Sequence, residues 1–381
     1  MNLTSIIAGL SIVLVGLAVS GAIYSALATW AAWRFLRRPA AAAAGQPSIT
    51  VLKPLHGDEP ELYENLVSFC SQVYAGPLQI ILGVQDPADS ALAVAERLRR
   101  EHPDHDIVLV SDPTVHGTSR KIGNLINMAA QARGEIVVIS DSDVRLTPDG
   151  LGRIVAALEA PGVGMIHCLY RGRPTASFWS RLAALDVNTR FAPSVLVGEM
   201  LGANPCLGPT MALGAETLAS IGGLEYLADF LADDFELGRA VRATGLRIGC
   251  PTMVIDHVFP ERSASEMLSH ELRWARTIRL VQPAGYLGSV VIHVTPLALI
   301  GAALSGFAGW SLVLLAVLTG LRQAQAYLLS RWMISDRGLL WLLPMRDLVS
   351  FGVFIAAIFG DQVQWRGARL RVQRDGVIAT T

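Results

Sequence analysis

Asp86, the pair Asp141 and Asp143, and Asp234 are the residues of this chain best suited to chemistry. The pair sits in "VVISDSDVRL" (137–146), directly after a run of apolar β-formers. Two carboxylates one residue apart on a turn can present hard oxygens to a cation, and a carboxylate can serve as a base. Aspartate and serine are also ordinary turn formers and helix caps, so no single position decides between the two readings. Asp233, Asp234 and Glu236 crowd the start of "ADDFELGRAV" (232–241). Acidic residues favour a helix N-terminus, yet carboxylates this close repel, a cost that a base or a cation site would explain. Further on, "SHELRWARTIRL" (269–280) brings His270, Arg273, Trp274, Arg276 and Arg279 together. Guanidinium and indole can clamp a diphosphate, or the segment can lie at lipid-headgroup depth.

These residues need a scaffold, and the middle of the chain supplies an alternating pattern. "SITVLKP", "LQIILGVQD", "DIVLVSD" and "EIVVISD" read as strands. "LYENLVSFCSQV", "SALAVAERLRREHP" and "KIGNLINMAAQAR" between them have helical spacing. Strand–helix alternation predicts βαβ units and a mostly parallel sheet, with ligands beyond the carboxyl ends of the strands. Asp86, Asp112 and Asp141 stand at such ends. The run "FAPSVLVGEMLGANPCLGPTMALG" (191–214) reads as buried β-structure, or as the border of an apolar entrance. His56, His116, His167 and His257 read as structural or surface residues. The four cysteines are scattered without a Cys-x-x-Cys pair, which excludes an obvious zinc site and suits small buried residues.

The ends of the chain are apolar, and the mean hydropathy is +0.43. No charged residue occurs from Met1 to Trp33, after which come Arg34, Arg37 and Arg38. That is long enough for an uncleaved membrane anchor, with the arginines on the cytoplasmic side. The segment 280–321 lacks Asp, Glu, Lys and Arg and has room for two spans. A third apolar stretch, 338–360, is interrupted by Arg346 and Asp347, charges expected to face protein or water rather than lipid. Three later spans would put a tail bearing Arg366, Arg369, Arg371 and Arg374 on the wrong side, so one C-terminal segment is expected to re-enter or lie along the interface. With 381 residues and a formal net charge of -1, nothing points to nucleic acid as a partner.

The order Asp86, Asp141-Ser142-Asp143, Asp234, then His270-x-x-Arg273-Trp274 resembles the family 2 inverting glycosyltransferases. "VLKPLHG", "LGVQDPAD", "SDSDVR" and "ADDFELGRAV", with the membrane segments, are similar to the ceramide glucosyltransferase branch. "GANPCLGPTMALG" and "HELRWARTIR" look like the bacterial hopanoid biosynthesis-associated glycosyltransferases. The resemblance implies a GT-A-type α/β domain at 48–279, behind an anchor at 1–33 and a linker at 34–47. Transmembrane or interfacial helices at 280–362 and a basic tail at 363–381 would follow. It implies a multi-pass protein of the bacterial inner membrane, its catalytic domain facing the cytoplasm. The implied reaction moves a sugar from UDP-N-acetylglucosamine or UDP-glucose to the hydroxyl of a membrane lipid, a hopanoid polyol or, alternatively, a ceramide. Asp86 would bind the uracil or ribose, Asp141 and Asp143 would flank the ribose and diphosphate, and Asp143 with Asp141 would hold Mg²⁺ or Mn²⁺. Asp234 would be the general base. Arg273 and Trp274 would hold the diphosphate or acceptor, helped by Lys121 and Asn124, while His270 stands where that family has Gln or Arg. A processive polysaccharide synthase shares the motif set but needs a channel, for which the spans are too few. A non-catalytic scaffold would not require all four aspartates.

Overall fold

The computed structural model describes residues 3–333, 337–360, 362–365, 368–372 and 376–379. It opens with helix α1 (Leu3–Leu36). Then come β1 (Ile49–Pro54), α2 (Leu62–Cys70), β2 (Leu78–Val84), α3 (Ala91–Glu101), β3 (Asp106–Ser111), α4 (Arg120–Ala129) and β4 (Ile136–Ser140). Next are β5 (Val144–Arg145), α5 (Gly150–Leu158), β6 (Val163–His167) and β7 (Leu169–Pro174). Helices α6 (Phe178–Asp186) and α7 (Ala192–Met200) flank a π-helical turn, Val187–Phe191. They lead to β8 (Thr210–Gly214), α8 (Ala215–Ser220), α9 (Asp233–Ala243), β9 (Arg247–Gly249) and β10 (Val254–Phe259). The chain continues through α10 (Ala264–Val281), α11 (Pro283–Gly288), α12 (Val294–Leu304), α13 (Gly309–Met333) and α14 (Leu343–Ile358).

Two compact units emerge, and they do not follow the linear boundaries expected from the sequence. One gathers 38–175, 204–260 and 371–381; the other gathers 1–37, 176–203 and 261–370. Thus α6, α7 and α10, expected within an unbroken α/β domain, pack with the apolar helices instead. The 191–214 run is also helical in its first half, with β-structure only at β8. Pro193 near the helix start and buried Ala192, Leu196 and Val197 along one face favour that outcome.

The α/β unit holds a seven-stranded sheet in the order β3-β2-β1-β4-β8-β6-β9. The first four strands are parallel, as their near-continuous apolar sequences require, and β8 runs antiparallel to both neighbours. Leu52, Ile81, Val137, Ile139, Met211 and Leu213 of the sheet pack with Ile122 and Leu125 of α4 and with Leu237 and Val241 of α9. A second sheet, β5-β10-β7, lies beside the carboxyl end of β4. None of the four cysteines forms a disulfide, and Cys70 and Cys168 are buried. The end of the chain returns to this unit, where Val377 bridges Phe230 and Ile378 N donates to Asp229 O at 2.8 Å. Arg366 and Arg374 of the expected basic tail lie outside the described residues.

Among the described residues of the other unit, three helices are long and apolar enough to cross a membrane: Ser5–Leu36, Gly309–Met333 and Leu340–Ile358. Pro283–Ile292 and Val294–Leu304 form a pair bent by 69°, a broken span or a re-entrant loop. Small residues let these helices approach closely, as lipid-embedded packing favours. Ser11 Oγ donates to Gly301 O at 2.8 Å, and Ala18 packs on Val294, Leu297 and Leu318. Arg346 and Asp347 are 0% and 3% exposed, so they face protein as the sequence predicts.

One close approach fixes how α4 returns to the sheet. Gly134 N donates to Thr50 Oγ1 at 2.8 Å, and a Cβ at 134 would come within 2.3 Å of Thr50 N. Gly134→Ala should therefore destabilise the protein by about 1–3 kcal/mol, read as a lowered unfolding midpoint of the solubilised protein.

Candidate functional site

Strand β1 is flanked by β2 on one side and β4 on the other, so the sheet order reverses direction between β1 and β4. Such a switch point opens a crevice at the carboxyl ends of the strands. Asp141-Ser142-Asp143 follows β4 there. Beneath the turn lies Lys53 of β1, a lysine with no solvent exposure. Its Nζ donates to Asp141 O at 2.7 Å, with Val144 O and Ser140 Oγ each at 3.4 Å. The ammonium also sits 3.9 Å from the centroid of the Phe69 ring. Burial pulls Lys53 down to about 7, against the opposing pull of Asp143, Asp141 and Glu59. This lysine ties both ends of the aspartate turn through main-chain carbonyls, leaving the carboxylates to face elsewhere.

Lys121 of α4 bridges Asp141 Oδ1 at 2.9 Å and Asp233 Oδ2 at 3.1 Å. Ser119 caps that helix, accepting from Ile122 N, and so sets where Lys121 projects. Burial opposes the Lys121 charge, but Asp141 and Asp233 outweigh it and hold the ammonium well above its ordinary value. Asp141 is raised by burial, with Asp143 and Asp233 adding and Lys121 opposing. Asp234 follows at the N-terminus of α9, its Oδ1 accepting from Phe235 N at 2.8 Å. Burial, then the charge of Asp233, pushes Asp234 up to about 7. A carboxyl near neutrality can hold a proton or take one at physiological pH. Gly208 keeps the space beside it open, because a Cβ there would meet Asp234 Oδ2 at 3.2 Å.

Asp143 is oriented by a residue that the sequence reading assigned to structure. His257 Nε2 lies 3.0 Å from Asp143 Oδ2, and Val258 N donates to Asp143 O at 2.8 Å. His257 is wedged between Tyr170 and Phe259, with ring centroids 5.1 Å away in each case. One signal was available: in "VIDHVF", His257 shares the inward phase with Ile255 and Phe259, where a histidine needs a partner. The other histidines behave as expected, His167 buried, His56 against Asp89 at 3.0 Å, and His116 against Asn127 at 2.8 Å. Asp86, exposed beyond β2, turns its Oδ1 onto Ala88 N at 2.9 Å. Asn124 is only 4% exposed and gives its amide to Gly83 O at 2.8 Å, which fastens α4 to β2.

Among the described residues, no group of three or more His, Cys, Asp or Glu is arranged to hold a metal. A cation beside the Asp141–Asp143 turn would rest on few protein ligands, with its remaining positions open to phosphate oxygens, as hard divalent ions accept. His257 suits that arrangement, since a hydrogen-bonded partner commonly orients a ligating carboxylate. The Asp143 carboxylate thus fits Mg²⁺ or Mn²⁺.

Arg273, Trp274 and His270 belong to the membrane unit, on α10. Ser263 caps this helix by accepting from Glu266 N at 3.2 Å, and Glu266 reaches back to Arg262 N at 2.7 Å. His270 Nδ1 lies 2.7 Å from Glu261 Oε1, and its ring meets Trp274 edge-on with centroids 4.3 Å apart. In this chain the unusual His270 therefore steadies the Trp274 indole from within the same helix.

Replacing Lys53 by methionine keeps the bulk against Phe69 but removes the ammonium donor from the Asp141 and Val144 carbonyls, leaving Asp141 O the longer 3.3 Å bond from Val144 N. Lys53→Met should cost about 1–3 kcal/mol in unfolding free energy, read as a lowered unfolding midpoint. An unchanged midpoint would remove Lys53 from the account.

The description "Glycosyl transferase family 21" belongs to a family model that matches residues 13–378. Ceramide glucosyltransferase 1 of Caenorhabditis elegans is 23% identical over 360 residues, covering 88% of this chain and 74% of the relative. Ceramide glucosyltransferase 3 of the same organism is 22% identical over 331 residues, covering 84% of this chain and 72% of the relative. In solved form, a mannosyltransferase from Pyrobaculum calidifontis, in complex with GDP-Man and Mn²⁺, superposes with a TM-score of 0.55 at 20% identity. That match covers 93% of this chain and 99% of the mannosyltransferase, and it shows the shared GT-A-like fold. The likeness to ceramide glucosyltransferases agrees with the branch read from the motifs, while the narrower hopanoid branch goes beyond these findings. Spanning nearly the whole chain, the family match makes this protein a membrane glycosyltransferase that belongs to glycosyl transferase family 21.

Proposed function

We propose that the protein transfers a hexose from a UDP-sugar to the hydroxyl of a membrane lipid, with ceramide as the first acceptor to test. The observation that carries this reading is Asp234, raised to about 7 beside the Lys121-bridged aspartates. The relatives named above act as ceramide glucosyltransferases, which supports the acceptor class. In the step, the acceptor hydroxyl gives its proton to Asp234 as its oxygen bonds to the anomeric carbon. The bond from that carbon to the diphosphate breaks, and UDP leaves with the electron pair. A single displacement by one base, with no enzyme nucleophile, inverts the anomeric centre.

Asp86 and Asp141 serve the nucleoside side, with Lys121 fixing the Asp141 carboxylate. Asp143, oriented by His257, would hold Mg²⁺ or Mn²⁺, which when bound neutralises charge on the diphosphate. The solved mannosyltransferase of the same fold carries Mn²⁺, in line with this role. Arg273 and Trp274 hold the diphosphate, and Asn124 shapes the pocket through Gly83 without touching the donor. The α/β unit faces the cytoplasm of a bacterial cell in this reading, since Arg34, Arg37 and Arg38 follow α1. The chain end paired to Asp229 and Phe230 lies on that side too, so the intervening helices cross an even number of times. Two long helices and a re-entrant bent pair satisfy that count.

A hopanoid polyol is the second acceptor to test, favoured by "GANPCLGPTMALG" and "HELRWARTIR". Membranes containing the protein should be fed UDP-glucose or UDP-N-acetylglucosamine with ceramide or a bacteriohopanepolyol, and the lipids weighed by mass spectrometry. Glucosylceramide supports the first reading and a glycosylated hopanoid the second, while no glycolipid from any pair contradicts both.

Asp234→Asn should abolish turnover, a loss of roughly 10²-fold or more, with UDP binding preserved. The base must be ionised to act, so kcat/KM should fall as pH drops below about 7. Asp233→Asn removes the neighbouring negative charge and should move that limb to lower pH. Chelation with EDTA should stop turnover, and added Mn²⁺ should restore it at higher concentration in His257→Ala than in the unaltered protein.

A further inference from the structure

Three arginines and three acids of the membrane unit meet in a place where charge is expensive, and the transfer step uses none of them. Arg346 of α14, wholly buried, donates Nε to Leu182 O at 3.0 Å and Nη1 to Ser350 Oγ at 2.5 Å. Its Nη2 pairs with Glu271 of α10 and lies 3.7 Å from Asp186 Oδ2 of α6. Ser350 Oγ donates to Asp186 Oδ1 at 2.9 Å, and Arg190 Nη2 pairs with Asp186 Oδ2 at 2.7 Å. Alongside, Arg322 of α13 pairs with Asp347 of α14 at 3.1 Å and reaches Thr189 O at 3.2 Å. The π-helical turn thus contributes Thr189 and Arg190 to a cluster that joins α6, α10, α13 and α14.

Stability alone does not account for this cluster. A buried ion pair adds little over apolar residues of the same volume, whereas a stranded partner costs several kcal/mol, on the order of 3–5. What such a pair specifies is geometry. Glu271 directly follows His270 and precedes Arg273 and Trp274. At about 100° per residue, Trp274 and Ala275 fall on the Glu271 side of α10 and Arg273 falls nearly opposite. Leu272 and Ala275 pack against Tyr286, Phe354 and Ala357, apolar contacts without the directionality of an ion pair. Arg276 Nη1 donates to Gln362 O at 2.6 Å and Arg279 Nη2 to Gly360 O at 2.7 Å, holding the far end of the helix. Near the Arg-Trp motif, the Glu271–Arg346 pair ties α10 to α14 and, beside the His270–Glu261 contact, restrains its rotation.

We propose that Arg346, acting through Glu271, is a positioning residue for donor binding: it sets the rotation of α10 and hence the directions in which Arg273 and Trp274 project. The inference rests on the assignment of Arg273 and Trp274 to the donor diphosphate. Its test uses the full chain in detergent–lipid micelles, with UDP-glucose as donor and an accepting lipid. Glu271→Leu with Arg346→Met replaces the pair by apolar residues of similar bulk and should fold. KM for UDP-glucose should rise about ten-fold, and KM for the lipid should stay within about two-fold. The single variant Glu271→Gln, nearly isosteric, should raise the donor KM several-fold in the same direction. Arg273→Ala is the control for the underlying assignment. If it raises the donor KM while folded Glu271→Gln and the double variant keep wild-type KM and kcat, the positioning role is overturned and the assignment stands. If Arg273→Ala leaves the donor KM unchanged, the assignment falls and this inference falls with it.

Discussion

Carboxylates gathered at the end of one sheet repel each other, and the site depends on how that repulsion is met. Asp141, Asp143, Asp233 and Asp234 share one corner, and Lys121 spans two of them within 3.1 Å. In surroundings of low effective dielectric such contacts are worth several times their value in water. The balance is incomplete by design: Lys121 is committed to Asp141 and Asp233, which leaves Asp234 next to an acid and raised to about 7. One lysine therefore keeps the corner folded and also leaves a carboxyl poised near neutrality. Lys53 performs a separate task, gripping the main chain of the aspartate turn from below.

The membrane unit solves the opposite problem. The charges of its buried cluster are paired, Arg346 with Glu271 and Asp186, Arg322 with Asp347, Arg190 with Asp186. Closed pairing of this kind suits positions shielded from water, where an unmatched charge would be expelled. The aspartate corner, by contrast, holds more acids than its one bridging lysine matches, a charge that the cation of the proposed function would complete.

Much of the α/β unit was legible in the sequence. The four apolar strands and their intervening helices fell where periodicity put them, because buried parallel strands and amphipathic helices leave unmistakable patterns. Asp141 and Asp234 stood out as acids at a strand end and a helix start, and their expected roles came from the order of motifs along the chain rather than from local spacing. His257 and Gly208 did not, since their meaning lies in contacts with residues far away in the chain: His257 meets Asp143 across 114 positions. Lys53 carried a local warning, a lysine at the end of "SITVLKP", a segment apolar enough to be fully covered. The 191–214 run misled because apolar content alone does not separate a buried helix from a strand. Arg346 and Asp347 were recognised as facing protein, but their partners on α10, α6 and α13 could be known only from packing. Asn124, grouped with Lys121 by proximity, turned out to brace the sheet one helical turn away.

The central claim is that a single base, Asp234, drives a direct displacement at the anomeric carbon onto a lipid hydroxyl. Its most direct measurement is the anomeric configuration of the glycolipid product by proton NMR, starting from an α-linked UDP-sugar. The account predicts a β-linked glycolipid, with the large coupling of a trans-diaxial anomeric proton. An α-linked product, or release of free sugar with no glycolipid formed, would contradict it.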